Sequence, residues 1–182
     1  KNDVVIMSEL IREFTYVKHH KKKIAFILSA MRHFAKELRD TKIKVDYTSL
    51  DTPYNTGSLK SQIQRAIQKY KPTKIIVTSP SEYRILKDIK QWQNNFDLPI
   101  EIRPDNRFLY TPQEFKEWAN NRKQLRMEYF YHEVRKKYNI FMNGNQPEGG
   151  QWNYDIENRK SPIYDLNIPK TYQSRPNDIT CE

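Results

Sequence analysis

Glycine and cysteine are both scarce in this sequence: there are 4 Gly and 1 Cys in 182 residues. The chain contains no GxGxxG, no GxxxxGK[S/T] and no Gly-x-Ser-x-Gly string. This argues against glycine-loop binding of dinucleotides or nucleotide phosphates and against a hydrolase elbow. The lone Cys181 excludes an internal disulfide and a multi-cysteine metal site. A reducing, cytoplasmic location is the default expectation.

Long hydrophobic runs are also missing. The longest nearly unbroken apolar stretch covers residues 24–31, far short of the ~20 residues that cross a bilayer. The first residues, from Lys1, do not have the pattern of a signal peptide. Adjacent His19 and His20 lack a third ligand at suitable spacing, so no metal site is predicted. No set of catalytic residues is recognisable either.

Basic residues are abundant. Lys and Arg number 32 against 22 Asp and Glu, a formal net charge of +10. Such a charge favours a polyanionic partner such as DNA. The alternative is a solvated basic surface on a protein with other duties.

Apolar patterning predicts alternating strands and helices. Strands are predicted at residues 4–7, 43–50, 75–78 and 99–102. Helices are predicted at residues 18–39, 58–70 and 123–138. Two further helices are predicted to begin at residue 79 and at a capping box formed by Thr111 and Glu114.

Four strand–helix alternations indicate an α/β fold: a three-layer, Rossmann-like parallel sheet with helices on both faces. Residues 1–140 are predicted to form this domain. Residues 141–182 are enriched in Gly, Pro, Asn and Asp and are predicted to form an extended linker. Ligands of such sheets bind at the carboxyl ends of the strands. The predicted ligand segments are therefore 8–16, 51–57, 79–83 and 103–111.

The segment after the first strand carries a carboxylate, a phenol and an imidazole: Glu13, Tyr16 and His19. These groups can hydrogen-bond the polar edge of a flat heterocycle. The alternative is a solvated helix start with local ion pairs.

Two basic clusters could contact phosphates. The first is Lys21, Lys22 and Lys23, and the second is Arg122, Lys123 and Arg126, which is followed by aromatic residues. The alternatives are a solvated face for the first cluster and a core or interface stripe for the aromatic residues of the second. A third distinctive stretch, residues 147–159, joins a Gly-Gly pair to Trp152 and Tyr154, which predicts a docked loop of fixed geometry.

Several long strings resemble the deoxyribodipyrimidine photolyase-related family, in its iron–sulfur bacterial cryptochrome and prokaryotic (6-4) photolyase branch. The strings cover residues 16–35, 51–58, 102–109, 127–131 and 148–159. The resemblance implies an N-terminal α/β antenna domain followed by the start of an interdomain linker. In the family, a helical C-terminal domain binds FAD and an iron–sulfur cluster and repairs photolesions in DNA by light-driven electron transfer. That domain is absent from this sequence, so no repair activity is expected from this chain alone.

The resemblance also implies an antenna pigment, 6,7-dimethyl-8-ribityllumazine. Its contacts would fall on Ser8, Glu13, Tyr16, His19 and Ile27. The family's domain usually opens with one more strand and a Gly-Asp loop, which are expected to be missing here. An incomplete pocket, or self-association through an exposed sheet edge, is the corresponding expectation.

Three functions remain open at this point. The leading one is a light-harvesting domain of a photolyase-like flavoprotein that assists docking to DNA. The second is a stand-alone basic α/β module that binds nucleic acid without a pigment. The third is a small-molecule enzyme on a Rossmann-like sheet, which lacks any recognisable catalytic set.

Overall fold

The computed structural model of the chain describes residues 3–162 and 164–181, apart from the side chains of residues 156 and 157. The strands in chain order are β1 (Val4–Ser8), β2 (Lys44–Thr48), β3 (Ile75–Thr78), β4 (Ile100–Arg103), β5 (Met142–Asn143) and β6 (Gln146–Pro147). The helices are α1 (Ile11–Thr15), α2 (Lys21–Asp40), α3 (Leu59–Tyr70), α4 (Tyr83–Trp92), α5 (Pro112–Ala119), α6 (Met127–Tyr138), α7 (Asp155–Asn158) and α8 (Asp178–Cys181).

The described strands pair in three two-stranded sheets. β1 and β2 are parallel, with Ser8 opposite Thr48 at their carboxyl ends. β3 and β4 also run parallel, because their hydrogen-bond partners advance in the same direction, from Ile75–Pro99 to Ser79–Arg103. β5 and β6 form an antiparallel hairpin. The mixed α/β class is confirmed, whereas the three-layer arrangement of one sheet stays a prediction.

The chain divides into two compact units. Unit 1 comprises Lys1–Ile75, Lys90–Ile100 and Thr171–Glu182, and unit 2 comprises Ile76–Ile89 and Glu101–Lys170. The predicted domain boundary at residue 140 stays a prediction.

Unit 1 is held together by a small apolar core and by a buried carboxylate. Leu10, Ala35, Ala66 and Trp92 are its buried apolar side chains among the described residues. Asp46, in β2, is also buried, and side chains of α3 surround its carboxylate. These are Arg65, Lys69 and Tyr70, at 3.3, 3.1 and 2.9 Å.

The same side chains decide the charge state of Asp46. Burial alone would raise the pKa of its carboxyl group, but the hydrogen bonds from α3 outweigh burial and lower that pKa. Asp46 therefore stays ionised at neutral pH and fixes α3 beside β2.

Unit 2 is built around aromatic side chains of α5 and α6. The Phe130 ring lies with its centroid 5.0 Å from that of Tyr110, 5.1 Å from Phe115 and 4.9 Å from Trp118. Edge-to-face and tilted contacts of this kind add to the free energy of burial. Phe130 is thus the centre of this packing. The core-stripe alternative holds for this residue, whereas Tyr129, Tyr131 and Tyr138 of the same helix are exposed.

The predicted capping box of α5 is confirmed. Thr111 accepts from the backbone N–H of Glu114, while the Glu114 carboxylate accepts from the N–H of Thr111. Lys137 of α6 donates to the same carboxylate, at 2.5 Å. The lysine and the cap together lower the pKa of Glu114 to about 2.

The docked loop predicted for residues 147–159 is confirmed at Trp152, whereas Tyr154 is exposed and Asp155–Asn158 form the helix α7. Trp152 stacks on His132 of α6, with ring centroids 4.2 Å apart, and the Arg135 guanidinium lies 5.2 Å from the same ring. Gly149 has φ = 77°, and a Cβ there would overlap the Tyr154 hydroxyl, so the turn requires glycine.

Among the described residues, the sequence did not predict α1, the β5–β6 hairpin, α7 or α8. The short α8 packs on α2 within unit 1, where the Thr180 hydroxyl lies 2.9 Å from Ser29 Oγ and 3.1 Å from His33 Nε2. Chain ends with weak apolar periodicity provide no local signal for such contacts. Within the described ranges, no helix has both the length and the apolarity needed to cross a bilayer.

Replacing Phe130 by alanine tests the aromatic core of unit 2. We expect Phe130→Ala to lower the free energy of unfolding by about 2–3 kcal/mol, because the substitution removes a half-buried ring that contacts three aromatic neighbours. Denaturant titration followed by far-UV circular dichroism measures this change. Met127→Ala is the matched control on the same helix: Met127 is 72% exposed, and its loss should cost less than about 0.5 kcal/mol. Equal effects of the two substitutions would contradict the described core.

Candidate ligand site at the strand ends of unit 1

The loops that follow β1 and β2 meet at the carboxyl edge of their parallel pair. Asn55 joins them: its Nδ2 donates to the carbonyl of Glu9 at 2.6 Å and to that of Ser49 at 2.9 Å. Its Oδ1 accepts from the N–H of Gly57 at 2.9 Å. Two of the predicted ligand segments, 8–16 and 51–57, are thereby brought together.

Glu9 is the buried centre of this edge, with 0% of its surface exposed. The Arg32 guanidinium binds both carboxylate oxygens, at 2.7 and 3.2 Å. The Tyr47 hydroxyl donates to Oε1 at 2.6 Å, and the Leu50 N–H donates to Oε2 at 2.9 Å. A buried carboxylate is tolerated only when paired and hydrogen-bonded in this way.

These contacts determine the protonation of all three side chains. Burial alone would raise the pKa of Glu9, but the hydrogen bonds from Arg32, Tyr47 and the Leu50 N–H lower it overall. Hydrogen bonding to Glu9 raises the pKa of Arg32. Burial, and then the Glu9 carboxylate, raises the pKa of Tyr47. At neutral pH the site therefore holds a carboxylate, a guanidinium and a neutral phenol.

Sequence reasoning missed the Glu9 cluster. The available signal was a carboxylate directly after a buried apolar strand, a position where an ionised group needs a partner. The identity of that partner could not be read from the sequence, because Arg32 lies 23 positions along the chain.

Two of the predicted pigment residues are in contact. The rings of Tyr16 and His19 pack edge to face, with centroids 5.5 Å apart and planes inclined by 69°. Tyr16 ends α1, and His19 precedes the first turn of α2, so the short connection between the helices brings them together. His19 Nδ1 lies 3.4 Å from the Lys23 ammonium.

The other predicted pigment residues lie on the same unit. Ser8 ends β1, and its Oγ is buried without a hydrogen-bond partner among the described residues. Glu13 lies half-buried in the first turn of α1, and Ile27 lies half-buried in α2. A buried hydroxyl without a partner is unusual in native proteins and is consistent with a ligand that supplies one. That all five residues contact one pigment stays a prediction.

The first basic cluster is exposed on unit 1. Lys21, Lys22 and Lys23 form the first turn of α2, which contains no acidic residue. Cations at a helix N-terminus are disfavoured by the helix dipole, so this turn is electrostatically open to an anion.

The second basic cluster belongs to unit 2 and is attached to aromatic rings. The Arg122 guanidinium lies 4.6 Å from the Trp118 ring and donates to the Trp118 carbonyl at 2.7 Å. Arg126 lies 5.7 Å from the exposed Tyr129 ring, and Lys123 is exposed. Arg122, which follows α5, is thus held in place by Trp118 of that helix, whereas Lys123 and Arg126 remain accessible.

Removing the Glu9 charge tests the buried cluster. We expect Glu9→Gln to lower the free energy of unfolding by about 3 kcal/mol near pH 7, because Arg32 loses its buried partner. The folded-state pKa of Glu9 is lowered, so its carboxylate contributes stability above the unfolded pKa and loses it as pH falls through the folded pKa. The difference in free energy of unfolding between wild type and Glu9→Gln should therefore decrease as the pH falls from about 5 to about 2.

Denaturant titrations across that pH range measure this difference. The control is Glu82→Gln, which removes the carboxylate of an exposed pair with Arg84, 46% and 31% accessible, and should change stability by less than about 1 kcal/mol. A Glu9→Gln effect that is small, or that does not depend on pH, would refute the role given to Glu9.

Comparison with known proteins identifies relatives that match most or all of the chain. A (6-4) photolyase of Agrobacterium fabrum is 47% identical over 182 residues, which is 100% of this chain and 36% of the photolyase. An uncharacterized protein of Acanthamoeba polyphaga mimivirus is 23% identical over 150 residues, 80% of this chain and 74% of that protein. The chain therefore spans about 36% of the length of the photolyase that it matches.

The family comparison covers the same extent. Residues 1–182 match the family described as "Deoxyribodipyrimidine photo-lyase-related protein". Together with the identity to the bacterial photolyase, this match confirms the resemblance carried by the sequence strings. The chain belongs to the deoxyribodipyrimidine photolyase-related protein family.

Proposed function

We propose that this chain is the light-harvesting domain of a photolyase-like flavoprotein that repairs DNA photolesions. The observation that carries the proposal is the 47% identity to a (6-4) photolyase along the full 182 residues. Because the chain spans 36% of that relative, FAD and the iron–sulfur cluster are assigned to a C-terminal domain outside this sequence. The chain alone is then inactive in repair, and its partners are DNA and that domain.

The proposed pigment is 6,7-dimethyl-8-ribityllumazine, which absorbs near-ultraviolet or blue light and passes the excitation to the flavin. Ser8, Glu13, Tyr16, His19 and Ile27 are the residues proposed to hold it. The buried Ser8 hydroxyl has no partner among the described residues and supplies one unused donor and acceptor. The contacting rings of Tyr16 and His19 provide a phenol and an imidazole for polar groups of the pigment.

A three-layer, Rossmann-like parallel sheet is the fold proposed for this domain. Two features support it: β1 and β2 are parallel strands separated in sequence by α2, and β3 and β4 are parallel strands separated by α4. Each set is a βαβ unit, the building block of such sheets. The cytoplasmic location also stays a proposal.

Binding of nucleic acid without a pigment is the second candidate function. The observations that favour it are the net charge of +10 and the exposed lysine turn at the start of α2. This function requires salt-dependent affinity for DNA, since phosphate contacts release counterions. The two candidates predict different effects of the two substitutions that follow.

Glu13→Ala in the full-length protein tests the pigment site. We expect the ratio of pigment to protein after purification to fall at least tenfold, because the ring of the pigment loses a carboxylate acceptor. The affinity for DNA should stay unchanged. Absorption spectroscopy, with mass spectrometry of the released small molecule, measures the ratio. Glu37→Ala removes an exposed carboxylate of α2 and should retain the pigment. Full retention by Glu13→Ala would show that the site is assigned wrongly.

Removing the charges of Lys21, Lys22 and Lys23 tests contact with DNA. The triple alanine variant should bind duplex DNA more weakly and lower the slope of log K against log salt by up to about 2.7, at ~0.9 per lost phosphate contact. Pigment retention should not change.

The matched control removes three exposed helix lysines elsewhere, Lys87, Lys90 and Lys116, and should leave that slope as in wild type. Fluorescence anisotropy between roughly 0.05 and 0.2 M salt gives the slopes. A triple variant with the wild-type slope would exclude this turn from the DNA interface.

A further inference from the structure

A cleft of about 530 Å³ opens within unit 1, between α2, the loop after β2 and α8. The volume falls in the range of small-molecule sites, roughly 300–1,000 Å³. The side chains that carry its chemistry are Arg32, Lys36, Arg39, Ser49, Asp51 and Ile179. None of them belongs to the predicted pigment set.

The wall formed by α2 is cationic. Positions 32, 36 and 39 follow the spacing of one helix face, so Arg32, Lys36 and Arg39 are presented together. The Glu9 carboxylate accepts hydrogen bonds from Nε and Nη2 of Arg32 and so fixes the orientation of this guanidinium. Preorganised guanidinium groups of this kind suit phosphate oxygens.

Lys36 is available to an incoming anion. It pairs with Asp40 at 2.6 Å, but the two side chains are 58% and 62% exposed. Exposed ion pairs at this helical spacing contribute little to stability. Exchange of Asp40 for a phosphate oxygen therefore costs little.

The opposite wall has different chemistry. Asp51 contributes a carboxylate, and Ser49 contributes a hydroxyl that lies 2.7 Å from Thr52 Oγ1. A carboxylate repels a bare inorganic anion but accepts hydrogen bonds from sugar hydroxyls, the role that an acidic residue has toward ribose in dinucleotide sites. Ile179 and Ala35 add apolar surface, against which a flat base can pack.

We infer that this cleft binds a nucleoside phosphate. The cations of α2 bind the phosphates, Asp51 accepts from the ribose hydroxyls, and Ile179 contacts the base. Recognition is by side chains, which agrees with the absence of any glycine-rich phosphate loop from the sequence.

The cleft is separate from the proposed pigment contacts on α2. Ile27 and Lys36 are 36 − 27 = 9 positions apart, which at about 100° per residue places them on opposite faces of the helix. One helix therefore presents a pigment residue on one face and the nucleotide cations on another.

Isothermal titration of the full-length protein with ADP, adenosine and pyrophosphate tests the inference. We expect one ADP per chain, bound at least tenfold more tightly than either fragment, since each fragment uses only part of the cleft. The double substitution Lys36→Ala/Arg39→Ala should weaken ADP binding at least tenfold. The control Lys87→Ala/Lys90→Ala, which removes two exposed cations of α4, should bind ADP as wild type does.

Asp51→Asn separates the sugar contact from the phosphate contacts. This variant should bind ADP several-fold more weakly and pyrophosphate at least as well as wild type. Thermal unfolding of each variant verifies the fold. ADP affinity unchanged by the Lys36/Arg39 substitutions, or pyrophosphate binding as tight as ADP binding, would overturn the assignment. Glu13→Ala should leave ADP binding intact. Loss of the pigment and loss of ADP binding are therefore measured on different variants, and failure of one proposal is distinguishable from failure of the other.

Discussion

The buried carboxylate of Glu9 is the constraint on which the strand ends of unit 1 depend. It has no exposed surface, yet its pKa is lowered, because donors from three different parts of the chain converge on it. Those donors are Arg32 of α2, Tyr47 of β2 and the N–H of Leu50. An unpaired charge at this depth would be strongly destabilising. The position of α2 relative to β1 and β2 is therefore set by satisfying Glu9.

That position of α2 organises the proposed chemistry. Its first turn carries the exposed lysines, and the residues just before it include His19, which contacts Tyr16. Farther along, Arg32 is fixed by Glu9 and forms part of the cationic wall of the cleft. A single amphipathic helix thus presents separate groups for the proposed pigment, for the proposed phosphate contacts and for the core.

Unit 2 is stabilised differently. Its aromatic side chains pack on one another around Phe130, and some of its arginines lie on rings, as Arg122 does on Trp118 and Arg135 on Trp152. These arginines contribute to the packing of the unit, since each lies over a ring or donates a hydrogen bond to a carbonyl. A high net charge therefore overstates the number of cations accessible to DNA.

The sequence alone determined the features that arise from neighbours along the chain. Apolar runs and helical spacing predicted four strands and most helices, and the Thr111 cap was predicted because its partner Glu114 lies three residues away. The family was also recognisable from the sequence, because long strings of residues persist in relatives. Only the tertiary structure decided the partners of Glu9, the burial of the Ser8 hydroxyl and the packing of α8 against α2. Those contacts join residues as far as 151 positions apart, and such pairings follow from how whole elements pack, which no local pattern encodes.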